Sequence, residues 1–220
     1  MTALRHAIFD LDGTLVDSLP GIRWSIEQAL AECGLPPLQA ELRPLLGPPI
    51  RSILAAIAGF PEGITLDGLE LAFRKSYDAK GWRETVCFKG AKDLLWELLT
   101  GGVSLWIVTN KPAAATEKIL HHLHLRGFFE EIVCRDSRTP EYESKAHALI
   151  DLTVRRRLPT RECILVGDTR EDQSAAAGAG IECVIVPHGY GSAQPSSVPE
   201  WSAVSAWWEQ GREMAEVTVP

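Results

Sequence analysis

Ala7-Ile-Phe-Asp-Leu-Asp-Gly-Thr-Leu-Val-Asp-Ser18 is the stretch on which the fold of this chain turns. Its apolar, β-type run His6–Phe9 stops abruptly on two carboxylates, Asp10 and Asp12, followed at once by Gly13. Side chains of a strand alternate between its faces, so residues two apart start out pointing the same way. Asp10 and Asp12 are therefore expected together at the strand's carboxyl end, where open α/β sheets gather their ligands. Two crowded carboxylates repel and invite a cation. A hard ion such as Mg2+ accepts one or two carboxylates plus substrate phosphate. Read alone, the stretch also fits a strand running into an acidic turn, because turns favour Asp and Gly for backbone reasons.

Two more apolar runs end in the same manner. Val103–Val108 leads into Thr109-Asn110-Lys111-Pro112, and Cys163–Val166 leads into Gly167-Asp168-Thr169-Arg170-Glu171-Asp172. Between them lies Lys145, in Glu143-Ser144-Lys145-Ala146-His147. Glu131–Cys134 and Cys183–Val186 are further strand candidates. Helical patterns separate them: Ala91, Leu94, Leu95, Leu98 and Leu99 form one stripe, which Gly101-Gly102 stops. Pro112 suits the first turn of a helix that Ile119, Leu120 and Leu123 continue. Alternating strands and helices predict an α/β fold, a Rossmann-like parallel sheet with helices on both faces. The near-continuous apolar run Leu105-Trp106-Ile107-Val108 fits burial on both sides.

Residues 10–102 are far too many for one crossover helix. Ile22, Ile26, Ala29, Leu30 and Cys33 make a helical stripe, Gly47-Pro48-Pro49 restarts a helix through Ile57, and Leu66–Ala79 supplies another, with no strand alternation. This interval reads as an inserted all-α unit.

Together these motifs, in this order, resemble the haloacid dehalogenase-like hydrolase superfamily, and the resemblance runs from Leu4 to Gly191. The Gly47-Pro48-Pro49 stretch with Arg51 nearby is similar to its phosphoglycolate phosphatase-like branch with a helical cap. The resemblance implies a catalytic core over 1–16 and 84–220 and an α-helical cap over 17–83, hinged at Val16–Leu19 and Gly81–Phe88. It implies hydrolysis of a small phosphate monoester, phosphoglycolate-like as a first expectation, with Mg2+ as cofactor. Asp10 would be the nucleophile that forms an aspartyl-phosphate. Asp12 would be the general acid and then base. Gly13, Thr109, Asn110 and Lys145 would bind phosphate, with Lys111 a rival to Lys145. Metal ligands would be Asp10, Asp168 and Asp12 (through its carbonyl), with Asp172 behind them. Arg51 would grip a substrate carboxylate, unless it is a solvated helix residue. Asp17 reads as a helix cap before Pro20, and Trp24 as packing between cap and core.

Other chemistry fits less well. A dehalogenase of this superfamily lacks an acid at the position of Asp12. A phosphonate hydrolase needs a cap lysine, and nothing marks Lys75 or Lys80. A phosphomutase of the β-phosphoglucomutase type and a non-catalytic binding protein on a phosphatase fold stay open.

Bulk properties set bounds. With 220 residues, a net charge of −7 and 45% hydrophobic residues, the chain reads as an ordinary globular protein without the clustered basic charge of a nucleic-acid binder. Arg155-Arg156-Arg157 reads as a solvated helix face, and His121, His122 and His124 as complements to a helix dipole with no evident acidic partner. No apolar run approaches the roughly 18 residues of a membrane span, and the start has no signal-peptide character. The five cysteines form no Cys-x-x-Cys pair and read as small buried thiols of a cytoplasmic protein, monomeric or homodimeric.

Overall fold

The computed structural model describes residues 5–57, 65–192 and 200–216, with side chains through 209. Residues 1–4, whose lack of signal-peptide character is read above, lie outside the described residues.

Among the described residues, seven strands and eight α-helices follow one another. The strands are β1 His6–Phe9, β2 Val16–Asp17, β3 Val86–Cys87, β4 Ser104–Thr109, β5 Glu131–Cys134, β6 Cys163–Gly167 and β7 Glu182–Ile185. The helices are α1 Leu19–Glu32, α2 Ile50–Ile57, α3 Leu66–Ala79, α4 Ala91–Thr100, α5 Ala113–His122, α6 Lys145–Arg156, α7 Arg170–Ala179 and α8 Ser202–Glu216. Five strands form a parallel sheet in the order β5-β4-β1-β6-β7. The chain leaves central β1 for β4 and β5 on one side and returns to β6 and β7 on the other, so the strand order reverses at β1. Open α/β sheets bind ligands at that reversal, beyond the strands' carboxyl ends.

Period-two alternation assigns the two sides. Ala7 and Phe9, with Leu105, Ile107, Ile164 and Val166, pack against α4 and α8 through Leu94, Leu95, Leu98, Trp207 and Trp208. Ile8, with Trp106, Val108 and Leu165, packs against α6 and α7 through Leu149, Leu152, Ala175 and Ala176. Both faces of the sheet are thus covered, as the unbroken apolar strands required.

α1, α2 and α3 enclose a separate apolar cluster around Ile26, Leu42, Leu54, Leu69 and Phe73, joined by Ala115 and Tyr190 from the sheet-bearing part. The two stretches read as hinges, Val16–Leu19 and Gly81–Phe88, contain strand pairing that the sequence reading did not anticipate. The outgoing and returning chains pair as a two-stranded antiparallel ribbon, Val16 with Cys87 and Asp17 with Val86. A two-residue strand is too short to print an alternation in the sequence.

The bland clusters have partners. Arg155 and Arg156 both reach Glu131 (2.8 and 2.5 Å), and Arg155 also meets Asp151 at 2.7 Å. His121 lies 3.7 Å from Glu117 one helical turn earlier, an acidic partner the sequence reading missed. Of the five free cysteines, Cys134 and Cys163 are buried, but Cys33, Cys87 and Cys183 are only half-buried, against the expectation of uniform burial. Among the described residues no helix is long and apolar enough to cross a membrane.

Candidate active site

Asp10 leaves β1 with its N–H on the Val166 carbonyl (2.9 Å), so the sheet's own hydrogen bonds hold it beside the end of β6. The chain then folds back tightly. Leu15 and Val16 donate to the Leu11 carbonyl, and Gly13 donates to Val16 at 2.8 Å. That last bond corrects an expectation: the Gly13 N–H is used by the turn rather than offered to a phosphate. Gly13 instead serves close approach. Its φ of +85° suits glycine, and a Cβ there would collide with the Asp168 carboxylate and the Tyr190 ring.

Asp10, Asp168 and Asp172 bring one carboxylate oxygen each within 4.8 Å of one another, all buried. The Lys145 ammonium stands 3.1 Å from Asp10 and 2.7 Å from Asp172. Ser144 caps α6 by accepting the His147 N–H, which sets the lysine at the start of that helix. Three carboxylates against one ammonium leave a formal charge of −2. Burial pushes the Asp10 carboxyl well above its ordinary range, against the pull of Lys145, and Asp172 and Asp168 push it further. Asp168 is pushed up to about 6, by burial first and then by Asp172. Asp172 is held low because Lys145 and the Thr169 donors outweigh its burial. For Lys145, burial opposes the charge, but Asp10 and Asp172 overcome it and raise its pKa. A surplus of crowded, hard oxygen donors fits a divalent cation such as Mg2+. Each Asp168 oxygen accepts one hydrogen bond, from the Thr14 hydroxyl at 3.3 Å and the Tyr190 N–H at 2.6 Å, which leaves a lone pair on each. Asp172 is occupied, by Lys145 on one oxygen and by the Asp168 and Thr169 N–H groups and the Thr169 hydroxyl on the other.

Asp12 does not join that cluster. Both its oxygens accept from Lys111, at 3.1 and 2.9 Å. Burial opposes the Lys111 charge, yet Asp12 and Tyr77 hold its pKa above the ordinary value. The two rival lysines therefore stand at different carboxylates, Lys145 at Asp10 and Lys111 at Asp12. Thr109 ends β4, buried, and its hydroxyl accepts the Lys111 N–H while keeping its own hydrogen to donate. Asn110 is turned elsewhere than expected, donating to Glu171 (2.8 Å) and to the Gly47 carbonyl (3.3 Å) of the insertion. Asp136 accepts the first N–H of α5, from Ala113, at 2.8 Å.

A cavity of about 420 Å3 opens from Asp10, Asp12, Thr109 and Lys111 toward the insertion. Arg51 lines it, but its guanidinium is engaged by Asp67 (2.6 Å) and Glu70 (2.8 Å). Trp24 is not on the lining; it is half-buried, with the Lys80 ammonium 5.0 Å from its ring centroid. Asp17 accepts the Leu19 N–H at 3.1 Å, in keeping with a role at the start of α1.

Sequence reasoning missed the loop His188–Gly191. The Tyr190 N–H donates to Asp168 at 2.6 Å, while its hydroxyl accepts from the Ser18 and Leu19 N–H groups and donates to Asp17 at 2.9 Å. One residue thus ties the third acid of the site to the ribbon that leads into the insertion. Arg43 of the insertion donates to the His188 carbonyl at 2.9 Å. The available signal was Gly189, where a Cβ would strike Asp168.

His188 is itself buried between the rings of Phe88 and Trp201, at 4.6 and 4.7 Å. Its Nδ1 accepts the Glu200 N–H, so its Nε2 carries the proton and donates to the Thr14 carbonyl at 3.1 Å. Burial holds its pKa below 6.5, although the hydrogen bond to the Thr14 carbonyl pulls the other way. A depressed folded pKa stabilises above the unfolded value, and that stabilisation is lost as pH falls through the folded pKa. Urea midpoints should therefore fall from pH 7 to pH 5, and His188→Gln should flatten part of that fall. Parallel curves for the two proteins would remove His188 as a source of the pH dependence.

Comparison with known proteins follows the same lines. The family model described as haloacid dehalogenase-like hydrolase matches residues 7–186. A protein of Mycobacterium tuberculosis named tyrosine-protein kinase PtkA is 38% identical over 190 residues, covering 84% of this chain. The chain spans only 63% of that relative's length. The phosphoglycolate phosphatase of Pseudomonas syringae pv. tomato is 33% identical over 86% of this chain and 71% of its own. Among solved structures, a haloacid dehalogenase-like family hydrolase from Streptococcus pneumoniae superposes with a TM-score of 0.82 at 29% identity, covering 94% of this chain and 100% of that one.

Proposed function

The chain belongs to the haloacid dehalogenase-like hydrolases, and from that premise we propose that it is a Mg2+-dependent phosphatase of a small phosphate monoester, acting through an aspartyl-phosphate. The observation that carries this reading is the gathering of Asp10, Asp168 and Asp172 around Lys145 at the strand-order reversal.

In the proposed mechanism an Asp10 oxygen attacks phosphorus, and the bond from phosphorus to the ester oxygen breaks. Asp12 gives its proton to the leaving alkoxide, then as carboxylate takes a proton from the water that attacks the acyl-phosphate. The products are the alcohol, inorganic phosphate and free Asp10. Lys145 balances charge beside Asp10, and Lys111 with the Thr109 hydroxyl receives phosphoryl oxygens. Asp10 and Asp168, with the Asp12 carbonyl, would hold Mg2+, and Asp172 would keep Lys145 and the turn at Asp168 in place. Mg2+, when bound, offsets the negative charge of the phosphoryl oxygens. The helical insertion, 17–83, would be the cap that shields the site from water. The free thiols support a reducing compartment such as the cytoplasm.

The name of the mycobacterial relative supports a second reading, in which an alcohol other than water accepts the phosphoryl group. One assay separates the two. Inorganic phosphate should appear from a panel that begins with 2-phosphoglycolate, the ester in the Pseudomonas relatives' name, and chelation of Mg2+ should stop it. Phosphorylated acceptor without free phosphate would favour transfer, and release that ignores chelation would sink the metal requirement.

A further inference from the structure

The geometry points to an uncharged, apolar-bodied alcohol, aryl or alkyl rather than a hydroxy acid, as the leaving group for which the cavity is built. The inference deepens the phosphatase reading and rests on it.

Charge comes first. Among the described lining residues the cations are Arg51, Arg74, Arg135 and Lys111. Each already has a carboxylate. Arg51 holds Asp67 and Glu70, Arg74 holds Glu70 at 2.7 Å, Arg135 holds Glu141 at 3.0 Å, and Lys111 holds Asp12. Apart from Asp10 and the Asp12–Lys111 pair, the described lining carries four acids, Glu70, Asp78, Asp136 and Glu141, against three arginines. A carboxylate on the leaving group would enter a wall of surplus negative charge and would lose its hydration without gaining a free partner. Arg51 in particular already carries two carboxylates of the insertion, Asp67 and Glu70, one on each terminal nitrogen, so its charge is spent before a substrate arrives.

Shape agrees. Phe73 and Tyr77 stack with ring centroids 5.4 Å apart and planes 16° from parallel, and both line the cavity with Leu46, Ile50 and Ile53. The Lys111 ammonium lies 5.0 Å from the Tyr77 ring centroid. Since Lys111 also grips Asp12, the aromatic pair begins next to the acid proposed to protonate the leaving oxygen. The carbon skeleton attached to that oxygen therefore meets rings and aliphatic side chains. Such a wall rewards apolar surface. The space, about 420 Å3, is in the range of sites that enclose whole small molecules.

The test compares benzyl phosphate with 2-phosphoglycolate, esters of primary alcohols of similar acidity, on the whole chain with Mg2+. kcat/KM should be at least about tenfold higher for benzyl phosphate, a difference that apolar pockets commonly achieve. Equal values, or a preference for 2-phosphoglycolate, would overturn the inference and leave the phosphatase reading standing. No phosphate from any ester would overturn that reading and the inference with it. Glu70→Gln keeps the shape but removes the charge shared by Arg51 and Arg74. It should move the ratio of the two kcat/KM values several-fold toward 2-phosphoglycolate. An unmoved ratio would refute the argument from charge.

Discussion

Asp10→Asn should lower phosphate release by on the order of 10^4-fold or more, because the amide cannot form the covalent intermediate that divides the reaction. The fold should not suffer. Asn keeps the size of the side chain and can keep a hydrogen bond to Lys145, while Lys145 retains Asp172 at 2.7 Å. The direction of the Asp10 shift makes a sharper statement. Burial and three neighbouring carboxylates, Asp172, Asp168 and Asp12, raise its folded pKa above the ordinary value. An acid raised on folding is destabilising wherever it must ionise, that is, above its unfolded pKa near 4. Without Mg2+ at pH 7, the Asn variant should therefore melt at the same temperature as wild type or higher. Mass spectrometry of acid-quenched enzyme should find one added phosphoryl group on wild type and none on the variant. Wild-type turnover by Asp10→Asn would end the nucleophile assignment. A strongly lowered melting temperature would instead mean that the Asp10–Lys145 pair is a net stabiliser.

Lys145→Met should have the second largest effect, and on two readouts at once. The Lys145 side chain is 3% exposed and, among the described residues, is the only cation paired with Asp10 and Asp172. Removing one partner of a buried pair leaves charge uncompensated, at a cost of about 3–5 kcal/mol. Added Mg2+ should recover part of that loss, since it supplies positive charge to the same carboxylates. Activity should fall by about 10^2- to 10^3-fold, the scale seen when one stabilising charge or donor is taken from a transition state. Lys111→Met is the control. Its partner Asp12 keeps 21% side-chain exposure and remains solvated when left alone, so stability should fall less. Equal stability loss in the two variants would contradict the distinction drawn between the lysines. A Lys145→Met protein as stable and active as wild type would remove the central ion pair from the argument.

Much of this was legible along the chain. The bounds of β5, Glu131–Cys134, and of α3, Leu66–Ala79, coincide with those read from the sequence. β4 and β7 differ by one residue at each end. Apolar periodicity and the Gly101-Gly102 and Pro112 punctuation are local signals, and local signals suffice for elements. The meeting of Asp10, Asp168 and Asp172 was also legible, for a topological reason, whereas Lys145, which opens α6, was expected there from the family resemblance alone. In a parallel sheet every strand points its carboxyl end to the same edge, so polar groups that follow β1 and β6 must come near one another. Gly13 was marked by its position in the motif, but its task of admitting Asp168 was not.

The sequence by itself determined the five strands of the main sheet, the helical patterns between them, and the acids that end up at one edge. It did so because each of these follows from periodicity within a window of a few turns and from the single direction of a parallel sheet. Only the tertiary structure decided which partner each polar group takes: Lys111 at Asp12, Arg51 paired with Asp67 and Glu70, and Tyr190 bonded both to Asp168 and to Ser18, 172 positions away. Such pairings depend on how the insertion packs against the sheet's edge. No local pattern carries that information, since a side chain's partner is set by whatever surface the rest of the fold brings within 3 Å of it.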